Sequence, residues 1–252
     1  MAKYLIFKAI TLLGFYLFAF NLSFYIAVLF VLAIGYVSYR LKLLDLSGAL
    51  SGIILGLLII VLTDIVWFFV FLIFFIMGGA FTKYKYGYKE SLGIAQKDIR
   101  SYKNVFGNGF VPLCMAIGYQ FDPIFMLGFF GAVATATADT LATEIGETSP
   151  GQTRMITNFK TVKPGTNGGI SFLGEQSAIL GSAIIALFIL FIDVNPLIAF
   201  IAAVLGGFIG TNFDSLLGAT LEKKGILTND TVNLLATLIG GQIAIFAYIL
   251  FV

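Results

Sequence analysis

The residues best suited to chemistry close a long apolar segment, in the run Ala138 to Gly146 (ADTLATEIG). Asp139 is expected within a membrane boundary, where a carboxylate is costly and usually faces a polar interior. Asp139 and Glu144 lie about 140° apart around an ideal helix. They can share one ligand only if the helix edge faces the site or the helix breaks near Thr143. Carboxylates with Thr140 and Thr143 beside them suit Mg²⁺; the alternative is a buried Asp bonded to a lysine for packing.

A second candidate is the loop that precedes another apolar segment. Lys160 and Lys163 supply positive charge, and the turn Gly165 to Gly169 (GTNGG) supplies flexible backbone. Backbone N–H groups at a helix N-terminus attract phosphate, and the helix dipole adds to that attraction. The turn therefore predicts a phosphate site, although it does not match the Walker A pattern. An ordinary glycine-rich turn is the alternative.

A third candidate is Asp214-Ser215, expected at the end of a further apolar helix, with a helix cap by Asp214 as the competing account. The run Gly206 to Leu216 (GGFIGTNFDSL) faintly repeats Gly131 to Leu141 (GAVATATADTL), including the Asp. Small residues along both runs more simply predict close helix packing.

The elements that carry these residues are predicted to be membrane-spanning helices. The chain is 59% hydrophobic and only 11% charged, whereas soluble domains carry about 25% charged residues. Backbone polar groups in lipid must be satisfied within the segment, and the alternation typical of a β-barrel is absent. We predict an all-α, polytopic membrane protein with a single domain of residues 1–252. Its nine expected spans are about 4–20, 22–38, 47–62, 65–82, 105–119, 123–142, 170–191, 196–213 and 231–251, the first being a span and not a removed signal peptide. The glycine-rich fifth span, with Asn108 and Pro112, is the one that could be broken or re-entrant.

Orientation follows from the lysines and arginines, which concentrate in the cytoplasmic loops of membrane proteins. With the N-terminus inside, all of them except Lys8, which lies in the first span, fall in the inner segments, of which 83–104, 143–169 and 214–230 are the large ones, while the outer links carry none. All three candidates then lie on the cytoplasmic side. Loop 83–104 alone holds six cations, which either reflect this rule, attract anionic lipid or recruit an anionic substrate. Nucleic acid is not expected as a partner, since these charges lie against a membrane.

Two absences limit the possible chemistry. The chain has no histidine and one cysteine, Cys114. This excludes a histidine general base, a disulfide framework and cysteine-type metal sites.

The same residues resemble the integral-membrane phytyl-phosphate kinase family of plants, with its archaeal and animal relatives. The likeness covers about Ala80 to Glu222, and its most specific part is Asp139-Thr140 with Thr143-Glu144-Ile145-Gly146. Further matching positions are Phe159, Lys160, Val162, Gly165, Thr166, Gly168, Ser171 and Gly174, with weaker ones at Phe81-Thr82-Lys83, Ser215 and Gly218-Ala219. The family usually has Ser-Glu in place of Thr143-Glu144, and Asp214 matches a variable acidic position. A more distant likeness is to polyprenol kinases and CTP-using phosphatidate cytidylyltransferases.

The resemblance implies that an isoprenyl monophosphate of phytyl or geranylgeranyl type is phosphorylated to its diphosphate by a nucleoside triphosphate, with CTP expected. In this hypothesis Asp139, Glu144 and Lys160 are catalytic, and Asp139, Glu144 and Asp214 hold Mg²⁺. Lys160 and the glycine turn hold the transferred and leaving phosphates, Lys83 holds the acceptor phosphate, and the lipid tail lies between helices. The full expected phosphate- or nucleotide-binding set is Lys83, Asn108, Thr140, Thr143, Lys163, Gly165, Thr166, Asn167, Gly168, Gly169, Ser171, Glu175 and Ser215. A cytidylyltransferase that makes a CDP-lipid and a transporter of an anionic lipid or ion remain as alternatives.

Overall fold

The computed structural model describes residues 24–95, 99–191 and 195–252. The predicted first span, 4–20, and the predicted cytoplasmic N-terminus lie outside these residues. So do Lys97 of the basic loop and Asp193 of an outer link.

The described chain is built from helices that follow most of the predicted spans. They are α1 (Phe24–Arg40), α2 (Leu46–Leu62), α3 (Ile65–Thr82), the short α4 (Tyr86–Ser91), α5 (Tyr102–Gly118), α6 (Phe125–Gly146), α7 (Phe172–Ala186), α8 (Pro196–Leu217) and α9 (Asn229–Phe251). A 3₁₀ turn, Leu187–Phe191, extends α7, and a π-helical turn, Gly218–Glu222, extends α8. Five of the resulting helical segments are long and apolar enough to cross a membrane, and α1 and α2 are shorter apolar helices. The predicted all-α membrane fold is thus confirmed.

The fifth span and the end of the eighth differ in detail from the prediction. Helix α5 runs unbroken through Pro112, so the described helix is not interrupted there. Helix α8 continues past Asp214 to Leu217. Asp214 therefore lies inside a helix and does not cap one.

Helix α6 forms the centre of the molecule. It packs against α3, α5, α7, α8 and α9, and nearly every residue from Met126 to Ala138 is buried. Small residues allow this crowding: a Cβ added to Gly131 would lie 2.7 Å from the Gly240 carbonyl oxygen of α9. The hydroxyl of Thr135 donates to the Gly206 carbonyl of α8 at 3.3 Å. The repeated small-residue runs of α6 and α8 thus meet face to face, as packing predicts.

The outer surface of the helix bundle is apolar. Large side chains such as Leu29, Ile54, Phe246 and Ile249 are exposed, which is the arrangement expected where a helix faces lipid and not water.

Residues 153–170 form a small sheet that helix-based reasoning missed. Strand β1 (Thr153–Met155) lies between β2 (Thr161–Val162) and β3 (Gly169–Ile170), and both pairings are antiparallel. Ser171 follows β3 and caps α7, where its hydroxyl accepts from the Gly174 N–H at 3.1 Å. The glycine turn therefore enters a strand before the helix begins.

Candidate functional site

The three large loops predicted for the inner side meet around one polar cavity of about 300 Å³. Two of them are joined directly, because the Asn104 side chain of loop 83–104 donates to the Asp230 carboxylate of loop 214–230 at 3.1 Å. Ten of the predicted site residues line this cavity together with Asp139, namely Thr143, Gly165, Thr166, Asn167, Gly168, Gly169, Ser171, Glu175, Asp214 and Ser215. The acidic helix end, the glycine turn and Asp214 are thus brought together.

The polar cavity is strongly acidic. Its wall carries the carboxylates of Asp139, Glu147, Glu175, Asp214 and Glu222, and no lysine or arginine is among the described residues that line it. Asp139, Asp214 and Glu222 are close enough for their charges to interact. Clustered carboxylates can all stay ionised only when cations accompany them, so this wall favours a cationic ligand.

The Asp214 side chain is the strongest candidate for binding a ligand in this cavity. Its Oδ2 atom is buried and has no hydrogen-bond partner among the described residues, a state that costs free energy unless a cation or a donor completes it. No group of three His, Cys, Asp or Glu side chains in the described chain is arranged to hold a metal ion alone. Mg²⁺ typically takes only one or two protein carboxylates and completes its shell with water and substrate phosphates. The donor set of Asp139 and Asp214 therefore fits Mg²⁺ bound together with a nucleotide.

Burial also affects Glu147, which follows α6. Its pKa is raised from 4.5 to about 7, first by burial and then by the negative charge of Glu144, while Lys89 opposes the shift. The Glu147 carboxylate lies beside the glycine turn, since a Cβ on Gly165 would be 3.4 Å from its Oε1. The sequence reasoning did not single out Glu147, although it stands one helical turn after Glu144.

The glycine turn packs closely against the end of α8. Gly168 has φ +77°, and a Cβ there would lie 2.6 Å from both the Ser215 carbonyl oxygen and the Ala219 nitrogen. Only glycine fits this approach without strain. The amides of Thr166 and Gly169 are used inside the turn, donating to the carbonyls of Lys163 and Thr166. Strand β3 lies between the turn and α7. The amides of the turn are therefore not the N-terminal amides of a helix, as the phosphate-site prediction assumed.

The predicted lysines do not reach either cavity. Lys83, Lys160 and Lys163 are exposed and are absent from the described lining residues of the polar cavity. Lys160 directly precedes β2 (Thr161–Val162). Asp139 and Thr166 line the polar cavity together, and Lys160 is not among its described lining residues.

Glu144 also points away from the polar cavity, because α6 stays helical through Gly146. Its carboxylate forms an ion pair with Lys89 of α4, and both side chains are nearly inaccessible, at 3% and 1%. The Thr82 hydroxyl donates to the other carboxylate oxygen at 2.7 Å. Glu144 is therefore not among the described residues that line the polar cavity with Asp139 and Asp214. Its partner, Lys89, is one of the six cations of loop 83–104.

A second cavity, of about 200 Å³, lies between α1, α2 and α3 and has a mainly apolar wall. Its polar end includes Thr140, Asn108 and Glu144 of the predicted set, and also Arg100, Asn104 and Asn233, which the sequence reasoning had not selected. Asp139, Thr143 and Asn229 line both cavities. The apolar and polar cavities therefore meet at Asp139.

Two predicted residues have structural partners at this site. The Ser171 hydroxyl donates to the Gly146 carbonyl at 3.2 Å and ties α7 to the end of α6. Glu175 accepts from the Asn212 amide of α8 at 3.0 Å. Both contacts hold the helices that form the wall of the polar cavity.

Comparison with known proteins agrees with this architecture. Residues 29–241 match the family described as integral membrane protein DUF92. The chain is 32% identical over 230 residues to the uncharacterized membrane protein MJ0933 of Methanocaldococcus jannaschii, covering 89% of this chain and 94% of the relative. It is 34% identical to the uncharacterized membrane protein sll0875 of Synechocystis, over 86% of each chain. It is 31% identical to the chloroplastic protein VTE6 of Arabidopsis thaliana, over 80% of this chain and 64% of the relative.

No solved structure matches the chain. The family match spans most of the sequence, including every residue that lines the two cavities. The chain belongs to the DUF92 family of integral membrane proteins.

Proposed function

We propose that this protein is a membrane kinase that converts an isoprenyl monophosphate to its diphosphate with a nucleoside triphosphate, CTP being the expected donor. The observation that carries the proposal is the meeting of an apolar cavity and an acidic polar cavity at Asp139. A lipid acceptor and a hydrophilic donor need such a pair of adjoining spaces. The sequence resemblance to phytyl-phosphate kinases and the match to VTE6 support the substrate class.

The reaction suits the residues available. An oxygen of the acceptor phosphate attacks the γ-phosphorus of the nucleotide, the bond from that phosphorus to the β–γ bridging oxygen breaks, and a nucleoside diphosphate leaves. A phosphate monoester is already ionised near neutral pH, because its second pKa is about 6. A general base is therefore unnecessary, and the lack of histidine is no obstacle. Catalysis of phosphoryl transfer rests mainly on positioning and charge neutralisation.

The acidic wall fits the donor as a metal complex. Asp139 and Asp214 would hold Mg²⁺, which supplies the positive charge that the triphosphate needs in a cavity without lysine or arginine among its described lining residues. The glycine turn at Gly165 to Gly169, which lines the same cavity, would lie along the phosphates. The large inner loops share this end of the bundle, and their lysines and arginines favour a cytoplasmic site.

A substrate panel tests the proposal. Purified protein is mixed with geranylgeranyl or phytyl monophosphate, Mg²⁺ and each of CTP, ATP, GTP and UTP, and products are identified by mass. Isoprenyl diphosphate with at least one nucleotide is the expected result. A CDP-lipid with released pyrophosphate would instead identify a cytidylyltransferase, and substrate flux into liposomes without any product would identify a transporter.

A further inference from the structure

Arg100 is the one described lysine or arginine that lines either cavity. It stands at the polar end of the apolar cavity, near Asn108 and Asn233. Nothing in its sequence context separates it from the other cations of the basic loop.

The backbone of Arg100 is fixed in place. Its carbonyl accepts from the Asp45 N–H at 3.0 Å, and it forms a bridge with Leu44 at the start of α2. The absence of a side chain at Gly48 permits this contact, because a Cβ there would lie 2.7 Å from the Arg100 oxygen. An immobilised backbone gives the long side chain a defined direction.

The Arg100 side chain extends to the C-terminal end of α3. The Arg100 guanidinium lies against Gly78, where a Cβ would be 2.8 Å from Nη1. Its Nη2 donates to the Thr82 hydroxyl at 3.3 Å. A guanidinium carries five N–H donors, so this hydroxyl alone leaves most of its hydrogen-bonding capacity for a ligand.

The charge of Arg100 has no partner at ion-pair distance among the described residues, where Lys89 and Glu144 form the single ion pair. Burial lowers the pKa of the Arg100 guanidinium, and the charge of Glu144 opposes that shift. Lys89 already forms the ion pair with Glu144, so Glu144 is not free to pair with Arg100. A partly buried cation of this kind is costly unless an anion accompanies it.

The cavity beside Arg100 suits an amphiphile with an anionic head. Val31, Ile34, Phe68 and Phe71 provide an apolar wall for a hydrocarbon chain. Asn104 is committed to structure, since its side chain bonds the Ser101 N–H and the Asp230 carboxylate. The Asn108 amide donates one hydrogen to the Asn104 carbonyl at 3.2 Å. Its second amide hydrogen and the Asn233 amide remain at the polar end as donors.

We propose that the Arg100 guanidinium, aided by the Asn108 and Asn233 amides, binds the phosphate of the isoprenyl monophosphate acceptor while the chain occupies the apolar cavity. This assignment rests on the proposed kinase function and replaces Lys83 as the acceptor-phosphate residue. It also places the acceptor phosphate beside Asp139, which both cavities share. Arginine suits the role because its planar fork matches phosphate oxygens.

The test measures binding without nucleotide, in nanodiscs, for geranylgeranyl monophosphate, geranylgeraniol and phosphatidic acid. Arg100→Ala should weaken monophosphate binding about 10- to 100-fold, the range for losing hydrogen bonds to a charged group, and leave binding of the alcohol unchanged. Arg40→Ala, which removes an exposed arginine, is the control and should bind as the wild type.

Two neighbouring glycines, Gly78 and Gly79, provide a second variant and control that both keep the arginine. Gly78→Ala keeps the charge but pushes the guanidinium aside, whereas a Cβ on Gly79 meets nothing nearer than Leu43 Cδ2 at 3.9 Å. Gly78→Ala should weaken monophosphate binding several-fold and Gly79→Ala should not. If Arg100→Ala does not fold, the comparison of Gly78→Ala with Gly79→Ala tests whether Arg100 binds the phosphate.

The outcomes separate the two proposals. Equal monophosphate affinity in wild type, Arg100→Ala and Gly78→Ala overturns the Arg100 assignment, and the kinase proposal survives if the nucleotide panel gives diphosphate. In that panel Arg100→Ala should raise KM for the acceptor but not for the nucleotide. Phosphatidic acid binding as tight as that of the isoprenyl monophosphate would overturn the isoprenoid acceptor in favour of general lipid binding. A wild type that binds no monophosphate overturns both proposals.

Discussion

Two carboxylates five residues apart on α6 have opposite surroundings. Glu144 lines only the apolar cavity and is bound to Lys89 and Thr82. Asp139 lines both cavities, and the polar one also contains Asp214, whose Oδ2 has no partner among the described residues. Both were equal candidates in the sequence, and both are acidic groups close to a membrane boundary. The difference shows that a carboxylate with its charge neutralised inside the fold serves structure, and one without such a partner is available for a ligand.

The largest expected effect is on activity, in Asp139→Asn. The amide keeps the shape of the side chain but removes the charge that would hold Mg²⁺, so kcat should fall at least about 100-fold, in line with several kcal/mol of lost charge stabilisation. The measurement is isoprenyl diphosphate formation, with thermal unfolding in detergent to show that the fold is retained. Asp122→Asn, at an exposed position in a predicted outer link, is the control. Full activity in Asp139→Asn would remove Asp139 from the site.

Glu144→Gln is expected to lower the stability of the protein, whereas Asp139→Asn is expected to lower its activity. The substitution leaves Lys89 buried and charged without its partner, which costs about 3–5 kcal/mol in stability. Thermal unfolding should therefore shift strongly downward. A double variant with Lys89→Met and Glu144→Leu should recover much of the loss, because apolar replacement of a buried ion pair is often neutral.

Glu144 was first expected to bind Mg²⁺, and the same variant tests that expectation. If Glu144 held the metal, Glu144→Gln would abolish turnover with little change in unfolding temperature, and the double variant would stay inactive. Recovery of both stability and activity in the double variant would establish the structural role.

The sequence was sufficient to predict the helices and the meeting of the inner loops. Long apolar segments and the one-sided placement of cations carry that information, because lipid permits few alternatives. The approach of Asp139 to the glycine turn was also predicted, since both close or precede helices at the same end.

Side-chain partners could not be predicted in the same way. Lys89 and Arg100 belong to a loop of six similar cations, and only the course of α4 and the space at Gly78 decide which of them turns inward. Strands of two or three residues leave no periodic signal, so the small sheet within residues 153–170 was missed. The angle between Asp139 and Glu144 was known in advance, but not whether α6 would break.

A smaller effect is expected at the polar cavity wall, in Gly168→Ala. A side chain at φ +77° costs about 1–3 kcal/mol in backbone strain, and the new Cβ also overlaps Ala219 and Ser215. The turn should move away from α8, lowering the unfolding temperature and raising KM for the nucleotide several-fold. Gly225→Ala is the matched control, because Gly225 has φ +70° but open space around it. Identical nucleotide KM values in the two variants would show that the turn does not border the nucleotide.

The smallest effect is expected on the pH dependence of stability, at Glu147. This carboxylate interacts with the Glu144–Lys89 pair and also lines the polar cavity that contains Asp139. Its pKa of about 7 in the folded protein exceeds the ordinary value of 4.5, so the folded state binds the proton more tightly than the unfolded state. The resulting stabilisation is complete below about pH 4.5 and is lost as the pH rises through about 7.

Unfolding temperatures of the wild type and Glu147→Gln, measured from pH 4.5 to 8, should therefore differ in their slope against pH. The wild type should lose stability relative to the neutral glutamine variant as the pH rises. Parallel curves for the two proteins would mean that Glu147 titrates as an ordinary surface carboxylate and that the acidic wall is more open to water than its burial indicates.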